Sequence, residues 1–401
     1  MTLSSHKLFA RVATGLCAGI AGFELPLHRL GWQPGMVAEI DPAAPAVLAA
    51  RLPNAPLTGD VRELADLPRQ CSLVCCGFPC QDISVAGMKA DGIEGERSRI
   101  VKEVFRLLER RRVDTVIVEN VPFILRLKDG TGIQAVTSGF SSLGYRWAYR
   151  VVDALTFGLP QRRQRIVLVA SLSRDPRDVL LADDAGIRPK VRAGEVDYRA
   201  GGMGFYWTEG LRGVGTAPRA IPPLKAGSTI GIPSAPAVLT PDGFVGTPAI
   251  EDTERLQGFD AGHTEPALAV ERGSRWRLVG NALPTPIAEW LGRRLLEPGC
   301  YDAGRDVPLA EARSWPTAAW DMGEGIHGSS ASDNPLGLAA PDIADFLSRP
   351  LRPLSVRATQ GFLSRAGRST LTFPPGMLAA LQRHVDRLSG WDDLPLARAA
   401  A

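Results

Sequence analysis

Over its first 170 residues the chain alternates short apolar runs with amphipathic segments, and no other feature constrains the fold as tightly. Residues 9–13, 36–40, 73–76, 115–118 and 166–170 read as buried strands. Between them, 22–30, 43–51 and 97–111 read as helices, and in the last of these Ile100, Val101, Val104, Leu107 and Leu108 share one face. Such alternation implies an α/β fold built on a doubly wound, mostly parallel sheet. From about residue 171 the pattern dissolves into Gly, Pro, scattered Arg and isolated aromatics (Phe205, Tyr206, Trp207). A structureless loop of that length does not fit inside a compact domain, so 171–250 reads as a second, smaller lobe. Regular structure returns at 250–259 and closes with a helix over 287–296, after the start signal Pro284-Thr285-Pro286 and before Pro298-Gly299. Residues 251–299 therefore form a return segment that completes the first lobe of 1–170. Residues 300–401 form an extension with no role legible in the sequence, although Trp315, Trp320 and Trp391 imply that part of it packs and 376–388 reads as a helix.

With 401 residues, 45% apolar and 22% charged, the composition is that of an ordinary globular protein long enough for two domains. A formal charge of +3 permits a nucleic-acid partner without demanding one, but local clustering says more. Residues 95–112 carry seven Arg or Lys against three Glu, and Arg162, Arg163 and Arg165 follow. Four of the six cysteines fall between Cys71 and Cys80. Strand alternation sends Cys75 and Cys76 to opposite faces, no second half-site exists and the histidines are scattered singly, so no metal is expected. Small buried side chains are the plainer reading of that pair. No apolar run approaches the length of a membrane span and no secretory pattern opens the chain, which leads us to expect a cytoplasmic protein.

Chemistry-bearing residues cluster at the expected strand ends. Gly77-Phe78-Pro79-Cys80-Gln81 follows the strand at 73–76, which puts a thiol where open α/β sheets hold their ligands. Glu119-Asn120-Val121 ends the neighbouring apolar run, and Gln161-Arg162-Arg163-Gln164-Arg165 leads into another. Period-two alternation points Arg163 and Arg165 to the same side. Leu16-Cys17-Ala18-Gly19-Ile20-Ala21-Gly22 is a Gly-rich strand-to-helix turn, followed by Glu39-Ile40-Asp41 and Thr58-Gly59-Asp60-Val61. Arg255-Leu256-Gln257-Gly258-Phe259 and Gly280-Asn281-Ala282 come last.

In this order and spacing, the motifs resemble those of the DNA (cytosine-5) methyltransferase family over residues 8–170 and 250–297. The resemblance implies a Rossmann-like methyltransferase lobe, a target-recognition lobe at 171–250, and S-adenosyl-L-methionine as methyl donor. It makes Cys80 the nucleophile that adds to carbon 6 of cytosine, a step suited to a thiolate because it attacks and leaves readily. Glu119 becomes the acid at N3, Arg165 the group that reaches the base oxygen and orients Glu119, and Arg163 a helper near the pocket or phosphate. Donor binding would fall to Cys17, Ala18, Gly19, Ile20, Gly22, Glu39, Ile40, Asp60, Val61, Pro79, Ile100 and Asn281. Gln81, Ser84, Arg97, Gln161 and Arg212 would meet double-stranded DNA, whose target base must be flipped out for carbon 6 to be reached. A monomer is expected, either the modification half of a restriction system beside a cognate endonuclease or a solitary enzyme.

One departure from the family stands out. Relatives usually carry Phe-x-Gly-x-Gly-Gly where this chain has Cys17-Ala18-Gly19-Ile20-Ala21-Gly22, which leads us to expect weaker donor binding. Two other functions share the architecture. A tRNA cytosine-5 methyltransferase of this family would carry Cys-Phe-Thr in the variable lobe, and no cysteine occurs at 171–250. A non-catalytic DNA-binding relative would have little reason to keep Cys80, Glu119 and Arg165 together.

Overall fold

The computed structural model describes residues 11–78, 99–189, 191, 193–211, 213, 215–227, 234–309 and 315–392. Strands are numbered along the chain: β1 Val12–Leu16, β2 Gln33–Ala38, β3 Leu57–Thr58, β4 Leu73–Gly77, β5 Thr115–Asn120, β6 Arg146–Asp153, β7 Gln164–Ser171, β8 Met203–Phe205, β9 Thr216–Pro218, β10 Ala237–Leu239, β11 Val245–Thr247, β12 Asp306–Val307, β13 Ala318–Asp321, β14 Ile326–Ser329 and β15 Arg352–Pro353. Among the described residues, ten of them form one sheet in the order β12-β14-β13-β6-β7-β5-β4-β1-β2-β3. Strands β1 to β5 run parallel, and β7 enters antiparallel between β5 and β6. Helices cover both faces, as alternating strands and helices require. Leu27, Ile287 and Leu291 pack on Ala13, Leu73, Cys75 and Ile117 of one face. Val104, Leu107, Ile133 and Phe140 pack on Val74, Cys76 and Val116 of the other. Cys75 and Cys76 thus point to opposite faces as small core residues.

Winding reverses between β4 and β1: the sheet grows through β5 from one and through β2 and β3 from the other. Open sheets of this kind bind ligands at the carboxyl edge beside that reversal. Register aligns Gly15 of β1 with Cys75 of β4, and Gly77 of β4 with Glu119 of β5. The donor turn, the stem of the Cys80 loop and the acid therefore share one edge.

The smaller sheet runs β15-β11-β10-β8-β9, all antiparallel. Its residues Met203, Phe205, Ala237, Leu239 and Val245 pack against Phe362, Ala366, Met377 and Leu381. Those four come from the helices Val356–Ala366 and Met377–Asp392, which belong to the extension at 300–401. The extension is divided between both bodies: β12, β13 and β14 lengthen the central sheet, whereas β15 and the two helices complete the smaller one. Buried Trp320 and half-buried Trp315 sit in the first part. No helix among the described residues is long and apolar enough to cross a membrane.

Candidate active site

Glu119 ends β5 and is buried, with its Oε1 2.7 Å from Arg165 Nε. Arg165 starts β7, whose antiparallel entry beside β5 brings the two side chains together, and its Nη1 donates to the Gln164 carbonyl at 2.7 Å. Burial pushes the Glu119 carboxyl up, while Arg165 and Arg163 pull it back. The result is an acid that holds its proton more firmly than a surface glutamate. Gly77 lies beside it: a Cβ there would sit 3.4 Å from Glu119 Oε2. Asn120 fixes the stem of the next segment, donating from Nδ2 to the Phe78 carbonyl at 2.9 Å, while its Oδ1 accepts from the Val121 amide at 2.8 Å. Pro79, Cys80, Gln81, Ser84 and Arg97 lie outside the described residues, as does Arg212.

Two residues expected to meet DNA or its phosphates lie inside the protein instead. Arg163 does not face solvent where a phosphate could reach it. It is 1% exposed, with Nη1 donating to the Leu224 carbonyl at 2.6 Å and Nη2 to the carbonyls of Gly280 and Ala282 at 2.9 Å each. It remains close enough to the pocket to act electrostatically on Glu119. Gln161 is also fully buried: its Nε2 donates to the Leu256 carbonyl at 2.8 Å and its Oε1 accepts from the Leu224 amide at 2.8 Å. Gln257 joins them, donating to the Val279 carbonyl at 2.8 Å. A buried amide or guanidinium is tolerated when most of its polar atoms are satisfied, and here backbone groups take both Arg163 Nη atoms and the Gln161 amide, leaving Arg163 Nε alone without a partner among the described residues of this cluster. Gln161, Arg163 and Gln257 thus stitch the start of β7, the crossing at 221–227 and the return segment together. Gly280 shows how close the approach is, since a Cβ would collide with the Lys225 backbone.

At the donor edge, Glu39 accepts from the Gly19 amide at 2.7 Å through Oε2 and from the Asp41 amide at 2.8 Å through Oε1. Burial raises its carboxyl. Ile40 beside it is 65% exposed, an apolar side chain at the rim. Cys17, Gly19 and Ala21 all take positive φ (56°, 56° and 70°), so the turn 17–22 is left-handed at every other position. Ala21 does not present its methyl to the rim, because it is buried with Val37, Leu48 and Leu52. Left-handed strain of about 1–2 kcal/mol at Ala21 is partly offset by about 0.8 kcal/mol for the buried methyl. Half-buried Cys17 packs on the core containing Cys76, and Ala18 donates its amide to the Ala38 carbonyl at 3.0 Å.

Ile20 is buried, with its carbonyl 2.9 Å from His263 Nε2. Gly22 permits the return segment to close, since a Cβ would lie 3.0 Å from the Leu283 carbonyl oxygen. Asn281 is exposed at the end of the helix Ser274–Asn281. Asp60 accepts from Arg62 Nε at 2.7 Å, and this hydrogen bond holds its carboxyl below the usual range. Val61 is buried and Ile100 half-buried, both packed in the core beneath this edge.

Sequence reasoning missed two participants. Arg277 donates to both Asp41 oxygens at 2.8 and 3.1 Å, tying the return segment to the end of β2. A lone Arg in a helix gives no hint of such a long-range partner. Tyr206 lies within electrostatic reach of Arg163 and Arg165, although burial raises its phenol overall. Arg174, read as part of the recognition lobe, instead donates to the Leu295 carbonyl at 2.9 Å and lines a cavity with Ser72, Asp114 and Thr115 at the opposite, amino edge of the sheet.

The family described as C-5 cytosine-specific DNA methylase matches residues 13–186. The Type II methyltransferase M2.BsuMI of Bacillus subtilis (strain 168) is 43% identical over 382 residues, 93% of this chain and 97% of the relative. The Type II methyltransferase M.DsaV of Dactylococcopsis salina is 27% identical over 310 residues, 70% of this chain and 84% of the relative. The solved structure of the Entamoeba histolytica methyltransferase EhMeth superposes with a TM-score of 0.51 at 12% identity, covering 71% of this chain and 98% of the other, and so shares the fold. Similarity to M2.BsuMI across nearly the whole chain, together with a carboxyl edge built around Glu119 and Glu39, establishes that the chain belongs to the C-5 cytosine-specific DNA methylase family and is a DNA (cytosine-5-)-methyltransferase.

Proposed function

We propose that the enzyme transfers a methyl group from S-adenosyl-L-methionine to carbon 5 of a flipped-out cytosine, within a specific duplex DNA sequence, through a covalent Cys80 adduct at carbon 6. The observation that carries this reading is the buried Glu119 carboxyl, oriented by Arg165 and lying beside the stem of the Cys80 segment. Carbon 5 of cytosine is a poor nucleophile. Addition of the Cys80 thiolate at carbon 6, with N3 taking a proton from Glu119, converts the ring to an enamine. Carbon 5 of the enamine then takes the donor's methyl group, leaving S-adenosylhomocysteine; loss of the carbon 5 proton and elimination of the Cys80 thiolate, with Glu119 recovering the N3 proton, restore the aromatic ring. Arg165 holds the Glu119 oxygen it contacts and would reach the base oxygen as the base enters, a task suited to a planar fork.

The donor edge fits S-adenosylmethionine, which when bound supplies an electrophilic methyl group. Exposed Ile40 beside Glu39 suits an adenine face next to ribose hydroxyls, and Asp60 lies at the end of the neighbouring β3. Target choice belongs to the smaller lobe at 171–250, with the helices of the extension behind its sheet. Several relatives are named Type II methyltransferases, including M.HhaI of Haemophilus parahaemolyticus and M.MspI of Moraxella sp. In the same way, this chain would be the modification half of a type II restriction–modification system, acting as a monomer on cytoplasmic DNA beside a cognate endonuclease. Bisulfite sequencing of host DNA after expression tests this reading. Methylated cytosines should fall in one short sequence context and disappear with Cys80→Ala; no mark, or marks without a common context, would contradict it.

A further inference from the structure

Glu24 directly follows the donor turn, yet its carboxyl group is turned inward. It lies over Gly15 of β1, where a Cβ would collide with Glu24 Oε1. Gly15 stands in register with Cys75 of β4, so the carboxyl sits over the β1/β4 pair at the reversal point of the sheet. Glu24 is 5% exposed, and its Oε2 has no hydrogen-bond partner among the described residues. No Lys, Arg or His pairs with it there. Its charged neighbour Glu39 is also a carboxylate and opposes its charge, the backbone amides of Glu24 and Phe23 ease it only in part, and the neighbouring Cys75 thiol, pushed up by burial, is uncharged. A buried carboxylate without a cation is costly, and placing it beside a second carboxylate adds to the cost. Two positions cooperate in this arrangement: only a glycine at 15 leaves the space that the Glu24 side chain fills. A cationic ligand arriving at this edge would supply the missing partner.

We infer that Glu24 takes the α-ammonium group of the donor's methionine moiety, while Glu39 takes the ribose. This assignment rests on the proposed donor. S-adenosylhomocysteine carries the ammonium group without the sulfonium, whereas 5′-methylthioadenosine carries the same nucleoside without the amino acid, so together they isolate the contact. A charge-assisted hydrogen bond to a buried carboxylate corresponds to about tenfold or more in affinity.

Calorimetry on the full chain should show Glu24→Gln weakening S-adenosylhomocysteine by about tenfold or more and leaving 5′-methylthioadenosine within about twofold. Equal losses for both ligands would make Glu24 a structural support of the turn, and no loss for either would remove it from the site; either result overturns the assignment. Wild-type protein that binds neither nucleoside would instead bring down the donor reading itself, and this assignment with it. A second measurement needs no variant. Burial pushes the Glu24 carboxyl up to about 7, so its charged form gains ground as pH rises through that value. S-adenosylhomocysteine should therefore bind the wild type several-fold more tightly at pH 8 than at pH 6, relative to 5′-methylthioadenosine. Titration of Glu39 acts on both ligands through their common ribose and cancels in that ratio. A ratio independent of pH would count against Glu24.

Discussion

Replacing Glu119 with Gln should lower the methylation rate by at least about a hundredfold, equivalent to about 3 kcal/mol of barrier. The side chain keeps its size and can still accept from Arg165, but it has no acidic proton for N3. Donor affinity should change little, because the carboxyl is held by Arg165 of β7, whereas the proposed ribose contact falls to Glu39 beyond the end of β2. The sign of the pH dependence follows from the same environment. Burial raises the Glu119 carboxyl, and the acid form is the active one. The rate in wild type should fall as pH rises through that raised value, and the fall should be absent in Glu119→Gln. Single-turnover kinetics across pH measures both effects. Wild-type turnover in the variant would reduce Glu119 to a structural partner of Arg165.

Arg163→Ala is expected to destabilise the whole molecule rather than weaken DNA binding. The substitution leaves the carbonyls of Leu224, Gly280 and Ala282 without their shared donor in a dry interior. Hydrogen bonds to a charged group are worth about 1.5–3 kcal/mol each, but removing the cation also removes its own desolvation cost. We therefore expect a net loss of about 3 kcal/mol, well below the simple sum. Chemical denaturation should show the midpoint shifting to lower denaturant, because the three segments that Arg163 joins span both lobes. An unchanged midpoint, together with a slope of DNA affinity against log salt lower by about one, would return Arg163 to the phosphate.

The contrast between Arg163 and Arg165 shows what the sequence could convey. Both stand in one short basic run and alternate to one side, and nothing in that run distinguishes them. Their fates diverge because Arg165 meets a carboxylate on β5, whereas Arg163 meets carbonyls from residues 61 to 119 positions away. Apolar periodicity made the parallel strands legible, since burial on both faces writes itself as continuous Val, Ile and Leu. Strand β6 escaped for the opposite reason. Its Arg150 interrupts the apolar pattern, yet it is fully buried because the carbonyls of Ser332, Leu180 and Asp183 accept from it. Beyond the helical stretch at 376–388, which forms the helix Met377–Asp392, residues 300–401 were opaque because short edge strands and marginal helices carry little local signal and acquire their structure from the sheets they complete. At the donor turn, positive φ at Gly19 was foreseeable from glycine, but at Cys17 and Ala21 tertiary packing overrides the residue's own preference.

The central claim is that Cys80 attacks the base beside the Glu119 edge. Trapping on duplex DNA carrying 5-fluorocytosine tests it most directly, since fluorine cannot leave carbon 5 as a proton does. With S-adenosylmethionine present, the wild type should give a covalent protein–DNA species that survives denaturation and whose DNA-linked peptide contains Cys80, while Cys80→Ala should bind the same duplex and give none. A covalent species formed by Cys80→Ala, or an adduct mapped to another residue, would contradict the account.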